Sequence, residues 1–178
     1  MNKIFFLFFL LVFSSFKYKE QNYCKMVDKI TNRYKKEVAV PRGFIITGSG
    51  GAMMNDVERV TLWLTSFEAV NVEQARILYV ELMEKYLQYI NNCEKLRPYL
   101  HNFPFDIHNI ELNLQFKDSQ CHMRTGQDVT FVFMVRRNQL FYKTYNPKMD
   151  EFQLLHKETY EEAKRIVEQC ATSCSIAH

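Results

Sequence analysis

The 178-residue chain carries 23 Lys and Arg against 20 Asp and Glu, is 47% apolar and has only 5 Gly and 4 Pro. That composition excludes a disordered, collagen-like or low-complexity chain, and the length suits one domain around one core. Opposite charges are interspersed, and neither a basic stripe nor an aromatic stacking motif is visible, so no nucleic-acid partner is expected; Lys35-Lys36 and Arg136-Arg137 read as solvated surface.

The chain opens with Lys3, an unbroken apolar run from Ile4 to Phe13, and the small pair Ser14 and Ser15. A positive n-region, a ten-residue h-region and a short c-region together read as a secretory signal peptide over residues 1–16, with Val12 and Ser14 meeting the small-residue preference at a cleavage site. Ten helical residues reach about 15 Å, half of a bilayer core, so the run is too short to span. Cys24 follows Lys17, Lys19 and Glu20 and lies too far from the h-region to be a lipidated cysteine. Residues 17–178 are therefore expected to form a single exported domain, without a membrane association once the leader is gone.

Tyr23, Met26, Val27, Ile30, Tyr34 and Val38 recur three and four apart, which predicts an amphipathic helix over 22–38 that Pro41 ends. The β-branched run Gly43 to Thr47 predicts a short strand, stopping at Gly48-Ser49-Gly50-Gly51. Over Val57 to Phe67 the residues alternate loosely, with Val60, Leu62 and Leu64 opposite Thr61, Trp63 and Thr65, which predicts a strand covered on both faces. Asn71 and Gln74 form a capping box for a helix over 72–92 with Ala75, Leu78, Tyr79, Leu82, Met83, Tyr86 and Ile90 on one face. Pro98 and Pro104 bracket a turn-rich connection. Beyond it, Ile107 to Phe116 alternates as a strand with one wet face, carrying Glu111, Asn113 and Gln115.

Val129 to Val135 is apolar on both faces and so reads as a more central strand, with Gln139 to Tyr145 as its hairpin partner. A brief strand at Phe152 to Leu155 follows the turn Asn146-Pro147-Lys148, and Thr159 with Glu162 caps a final helix. Consecutive strands on short turns favour the α+β class: an antiparallel meander, a long helix on one face, and flanking N- and C-terminal helices.

Three constellations are candidate sites. Gly48, Ser49, Gly50 and Gly51 follow a strand, where phosphate-cradling loops sit, but no Lys-Ser/Thr ending follows and residue 53 is Met; a turn between two strands is the simpler reading. Cys121 and His122 are the components of a thiolate nucleophile, with His101 and His108 as further bases, although neighbours in sequence usually point apart. Cys170, Cys174 and His178 are spaced by four and would share one helix face as soft ligands for zinc or copper, but no fourth ligand is visible. The carboxylate pairs Asp150-Glu151 and Glu161-Glu162 fit a turn and a helix start better than an acid and base couple. Nucleophile-elbow, zincin and EF-hand spacings are lacking, and no cofactor is implied. With five cysteines in an oxidising compartment, two disulfides and one free thiol are expected.

The stretch Leu96-Arg97-Pro98-Tyr99-Leu100 to Phe103-Pro104-Phe105, running into Ile110-Glu111-Leu112-Asn113-Leu114, resembles uncharacterised small exported proteins of intracellular bacteria, such as chlamydia-like organisms and Legionella. The resemblance covers roughly residues 40–170; it implies export and carries over no activity and no site residues. Taken together, the sequence reads as a small exported binding or interaction protein without catalytic activity, acting on a protein or small-molecule partner. The alternatives are a cysteine-dependent hydrolase or thiol enzyme, and a small-ligand or metal carrier using the space between helix 72–92 and the sheet or the C-terminal Cys and His residues.

Overall fold

The structure, a computed structural model, describes residues 22–135 and 138–176, with side chains through residue 172. The proposed leader lies outside the described residues. The class is α+β: three α-helices and one six-stranded mixed sheet.

Helix α1 (Asn22–Tyr34) buries Tyr23, Val27, Ile30 and Tyr34, as their spacing requires. It ends four residues before the periodicity does, because the chain widens into a π turn over Lys35–Ala39 that still buries Val38 and Ala39. A 3₁₀ turn over Val40–Arg42 carries Pro41, and Gly43, with φ 75°, takes the left-handed position that closes the helix.

Strands β1 (Phe44–Ala52), β2 (Arg59–Ser66), β3 (Ile110–Phe116), β4 (Phe131–Val135), β5 (Gln139–Asn146) and β6 (Glu151–Thr159) lie side by side in chain order. The expected antiparallel meander fails at one joint. β2 and β3 run parallel, Val60 beside Ile110 through Ser66 beside Phe116, whereas the other four pairings are antiparallel. The reason lies between them: helix α2 (Val72–Asn91) and the 92–109 connection carry the chain back to the starting end of β2, and a crossover of that length produces a parallel neighbour.

Two other strands outrun their sequence signals. β1 continues through the glycines to Ala52, with a bulge at Thr47. A Cβ on Gly51 would sit 2.1 Å from the Arg59 carbonyl oxygen, so glycine is what lets β1 close on β2 there. β6 runs nine residues rather than four, bulging near Leu155, because β5 offers a full ladder of partners along it.

The core lies on one face of the sheet. Val60, Leu62, Leu64, Ile110, Leu112, Leu114, Phe116, Val132, Leu140 and Tyr142 point toward α2 and are buried. α2 answers with Ala75, Tyr79, Leu82, Met83, Tyr86 and Ile90, and the Tyr79 hydroxyl donates to the Leu112 carbonyl at 3.1 Å. Its N-terminus carries the expected capping box, with Asn71 Oδ1 accepting from the Gln74 N–H and Gln74 Oε1 from the Asn71 N–H. α1 packs on α2 through Tyr34, whose hydroxyl donates to the Leu82 carbonyl, and through the 2.7 Å Thr31–Tyr86 hydroxyl pair. On the other side, α3 (Tyr160–Ile176) begins in the Thr159–Glu162 capping box and meets α2 where Tyr160 and Lys164 both donate to Glu84.

The Leu96–Phe105 stretch is an anchored connection. Leu96, Leu100 and Phe105 enter the core, and Asn91 pairs its side-chain amide with both the N–H and the C=O of Phe105. Asn109 donates to the Glu58 carbonyl and so fixes the start of β3 beside β2. Among the described side chains, Cys24, Cys93, Cys121 and Cys170 are free thiols, so the expected two disulfides are not formed among them. They sit on α1, after α2, in the β3–β4 loop and on α3, elements that serve different parts of the fold.

Candidate interaction face

The second face of the sheet carries none of the three helices. By register its residues are Ile45 on β1, Thr61, Trp63 and Thr65 on β2, Glu111, Asn113 and Gln115 on β3, Phe131, Phe133 and Val135 on β4, Phe141, Lys143 and Tyr145 on β5, and Phe152, Leu154 and Lys157 on β6. The apolar second faces of β2 and β4 predict a covering layer, and the structure corrects that expectation. Trp63 is 41%, Phe152 39% and Leu154 53% exposed. Among the described residues, their own neighbours on the sheet shield the rings.

Those neighbours form a row. Trp63 meets Phe131 edge-on at 6.5 Å, Phe131 meets Phe152 at 5.1 Å by leaning across β5, and Phe152 touches Tyr145 at 5.5 Å. Beside it Phe133 and Phe141, directly opposite on β4 and β5, stack at 5.7 Å with planes 9° apart. Two lysines lie over this stack: Lys143 Nζ is 5.6 Å from the Phe133 centroid and Lys157 Nζ 5.2 Å from that of Phe141.

The polar groups of this face divide by whether they have partners. Glu111 accepts from the Thr61 hydroxyl at 3.0 Å and lies 3.7 Å from Arg59. Gln115 accepts from Thr65, and Thr65 shares a hydrogen bond with Thr47. Tyr145 donates to Asp150, which raises its pKa, with burial adding to the effect. Asn113, only 7% exposed between Trp63 and Phe133, has a buried Nδ2 with no acceptor among the described residues.

The candidate sites are dispersed. Gly48, Ser49, Gly50 and Gly51 lie within β1, paired with β2, so they form no loop around an anion. Cys121 is exposed at φ 68°, and the His122 ring pairs with Asp118, Nδ1 to Oδ2 at 3.2 Å. The Asp118 carboxylate also accepts the backbone N–H of His122 and of Gln120; these bonds, led by the backbone one from His122, hold its pKa below the ordinary value. His101 pairs with Asp56 at 2.9 Å, and its pKa is raised by that hydrogen bond. His101 and His108 precede β3 and Cys121 follows it, so a seven-residue strand of roughly 23 Å separates them. The structure does not bring Cys121 together with His101 or His108. α3 continues through 170 and 174, but the Cys174 side chain and His178 lie outside the described residues; Cys170 is exposed. No group of three metal-ligating side chains occurs among the described residues.

Two further polar sites lie on the helical side. Arg76 pairs with Glu158 at 2.8 Å, their side chains 11% and 5% exposed, with His156 Nε2 3.5 Å from the same carboxylate. Burial is the main cause raising the nearby Tyr142 hydroxyl's pKa. A cleft between α1 and the end of α2 is lined by Ile30, Arg33, Tyr89 and Cys93, and the Arg33–Glu37 ion pair and the Tyr89–Glu37 hydrogen bond run along its edge. The space between α2 and the sheet is filled by Tyr79, Leu82, Met83 and Tyr86, which are fully buried. Among the described residues no helix is long and apolar enough to cross a membrane.

No protein-family model, no curated protein and no solved structure matches the chain.

Proposed function

We propose that this chain is an exported, non-catalytic binding protein, a single domain over residues 17–178 after loss of the 1–16 leader, and that it engages a protein partner through the helix-free face of its sheet. The observation that carries this reading is the row Trp63–Phe131–Phe152–Tyr145 with the stacked Phe133–Phe141 pair beside it. A solvated strand face has no use for six aromatic rings, and contiguous exposed apolar surface rimmed by polar groups is the signature of an interaction site. The row joins rings from β2, β4, β6 and β5 in centroid steps of 6.5, 5.1 and 5.5 Å on an open sheet face, which suits a segment of protein better than a small molecule seated in a pocket.

Selection of a random-peptide display library against the full-length protein tests it. Selected peptides are expected to lose binding to Leu154→Asp and Trp63→Ala and to keep it with Gln88→Ala, a control on the helical side. Peptides that ignore the first two changes, or a library that returns none, overturn the reading. The export half is tested by intact mass of the protein secreted from a Gram-negative host, expected to lack the leader; a full-length mass overturns it.

A further inference from the structure

The helix-free face is apolar in area but one-sided in its polar chemistry. Its carboxylates are already engaged, Glu111 by Thr61 and Arg59 and Asp150 at its margin by Tyr145, and the Gln115 amide oxygen accepts from Thr65. Three of its donors are not. Lys143 and Lys157 rest on aromatic rings, with no carboxylate within ion-pair distance among the described residues, and Asn113 Nδ2 has no acceptor. Two cations and an amide N–H therefore stand within one aromatic surface, and each calls for an oxygen that the described residues do not supply. A second copy of this chain is a poor occupant, since face-to-face pairing would bring lysine-bearing surfaces together with no unengaged carboxylate between them.

From this we infer that the partner segment is acidic and apolar: aromatic or aliphatic side chains pack on the Phe131–Phe152 row, and carboxylates reach Lys143 and Lys157 beside the Phe133–Phe141 stack. The inference rests on the face being the binding surface. A main-chain or side-chain carbonyl that parts the Trp63 and Phe133 rings would satisfy Asn113. The lysines act chiefly on partner choice and encounter, as charges rimming an apolar contact do, and the rings supply the contact area.

Trp63 is the only tryptophan in the chain, so its fluorescence reports directly on this face. Two short tryptophan-free synthetic peptides serve as probes: one alternating Glu with Phe and Leu, the other identical but with Lys for Glu. The acidic peptide is expected to shift Trp63 emission saturably, at least tenfold more tightly than the Lys peptide. The preference should reverse in Lys143→Glu/Lys157→Glu and shrink as salt is raised. If circular dichroism shows the double variant unfolded, Lys157→Glu alone, at an exposed position, is expected to narrow the preference. Equal or tighter binding of the Lys peptide that is lost in Leu154→Asp overturns the acidic partner while leaving the face as the binding surface. Binding of either peptide that persists in Leu154→Asp, or no response to either, overturns both.

Discussion

The two faces of this sheet are built by the same strands and end in opposite environments. On one, Leu62, Leu112, Leu114 and Val132 lie at 0–1% exposure under α2; on the other, Trp63, the next residue after Leu62, is 41% exposed and Leu154 on β6 is 53% exposed. The first face is mostly apolar, whereas the second mixes its aromatic rings with Glu111, Asn113, Gln115, Lys143 and Lys157, yet each carries large apolar side chains. What sets the exposure of those side chains is the presence of a facing element that matches them. α2 supplies Tyr79, Leu82 and Met83 to the first, and among the described residues the second is met by its own rings. Large apolar side chains can therefore hold a domain together on one face and stay half-exposed on the other, and substitution is the way to tell the two roles apart.

The largest effect is expected at the buried ion pair on the covered side. Arg76→Leu leaves the Glu158 carboxylate, 5% exposed, without its main partner and should cost roughly 3–5 kcal/mol in urea unfolding. Leu112→Ala opens a cavity under Tyr79 and should cost about 2–5 kcal/mol by the same measurement. On the open side Trp63→Ala should cost only about 1 kcal/mol, since it removes a half-exposed ring and its edge contact with Phe131. Leu154→Asp should fall within about 0.5 kcal/mol of the parent while abolishing peptide binding. A loss at Trp63 as large as that at Leu112 would erase the distinction between the faces.

The smallest effect lies outside both faces. His101, held by Asp56, has its pKa raised above the ordinary 6.5. A raised value in the folded state means the contribution is full below pH 6.5 and is lost as pH rises through the folded value. Asp56→Asn should return the His101 titration, followed by NMR, toward the ordinary range and flatten that part of the pH–stability curve.

Much of this architecture was legible along the chain. Asn71 with Gln74 and Thr159 with Glu162 mark helix starts that the structure places at Val72 and Tyr160, because a capping box is a contact between residues three apart. The inward residues of β3 were equally legible, since strand alternation is local. The length of β6 was not, because its last residues are held by β5 rather than by their own pattern. As for the face, Phe131, Phe133 and Trp63 gave a signal, apolar residues on both sides of a strand, but that signal stands equally for a buried strand and for an uncovered one.

By itself, then, the sequence determined the α+β class, the helix caps and the core-facing residues of α2 and β3, all of which depend on periodicity and near-neighbour chemistry. Only the tertiary structure decided that β2 and β3 are parallel, that the glycines lie in a strand, that Cys121 is remote from His101, and that no helix of the described residues covers the aromatic row. Each of these depends on which distant segments meet, and that is settled by the packing of α2 on one side of the sheet rather than by any residue's own preference.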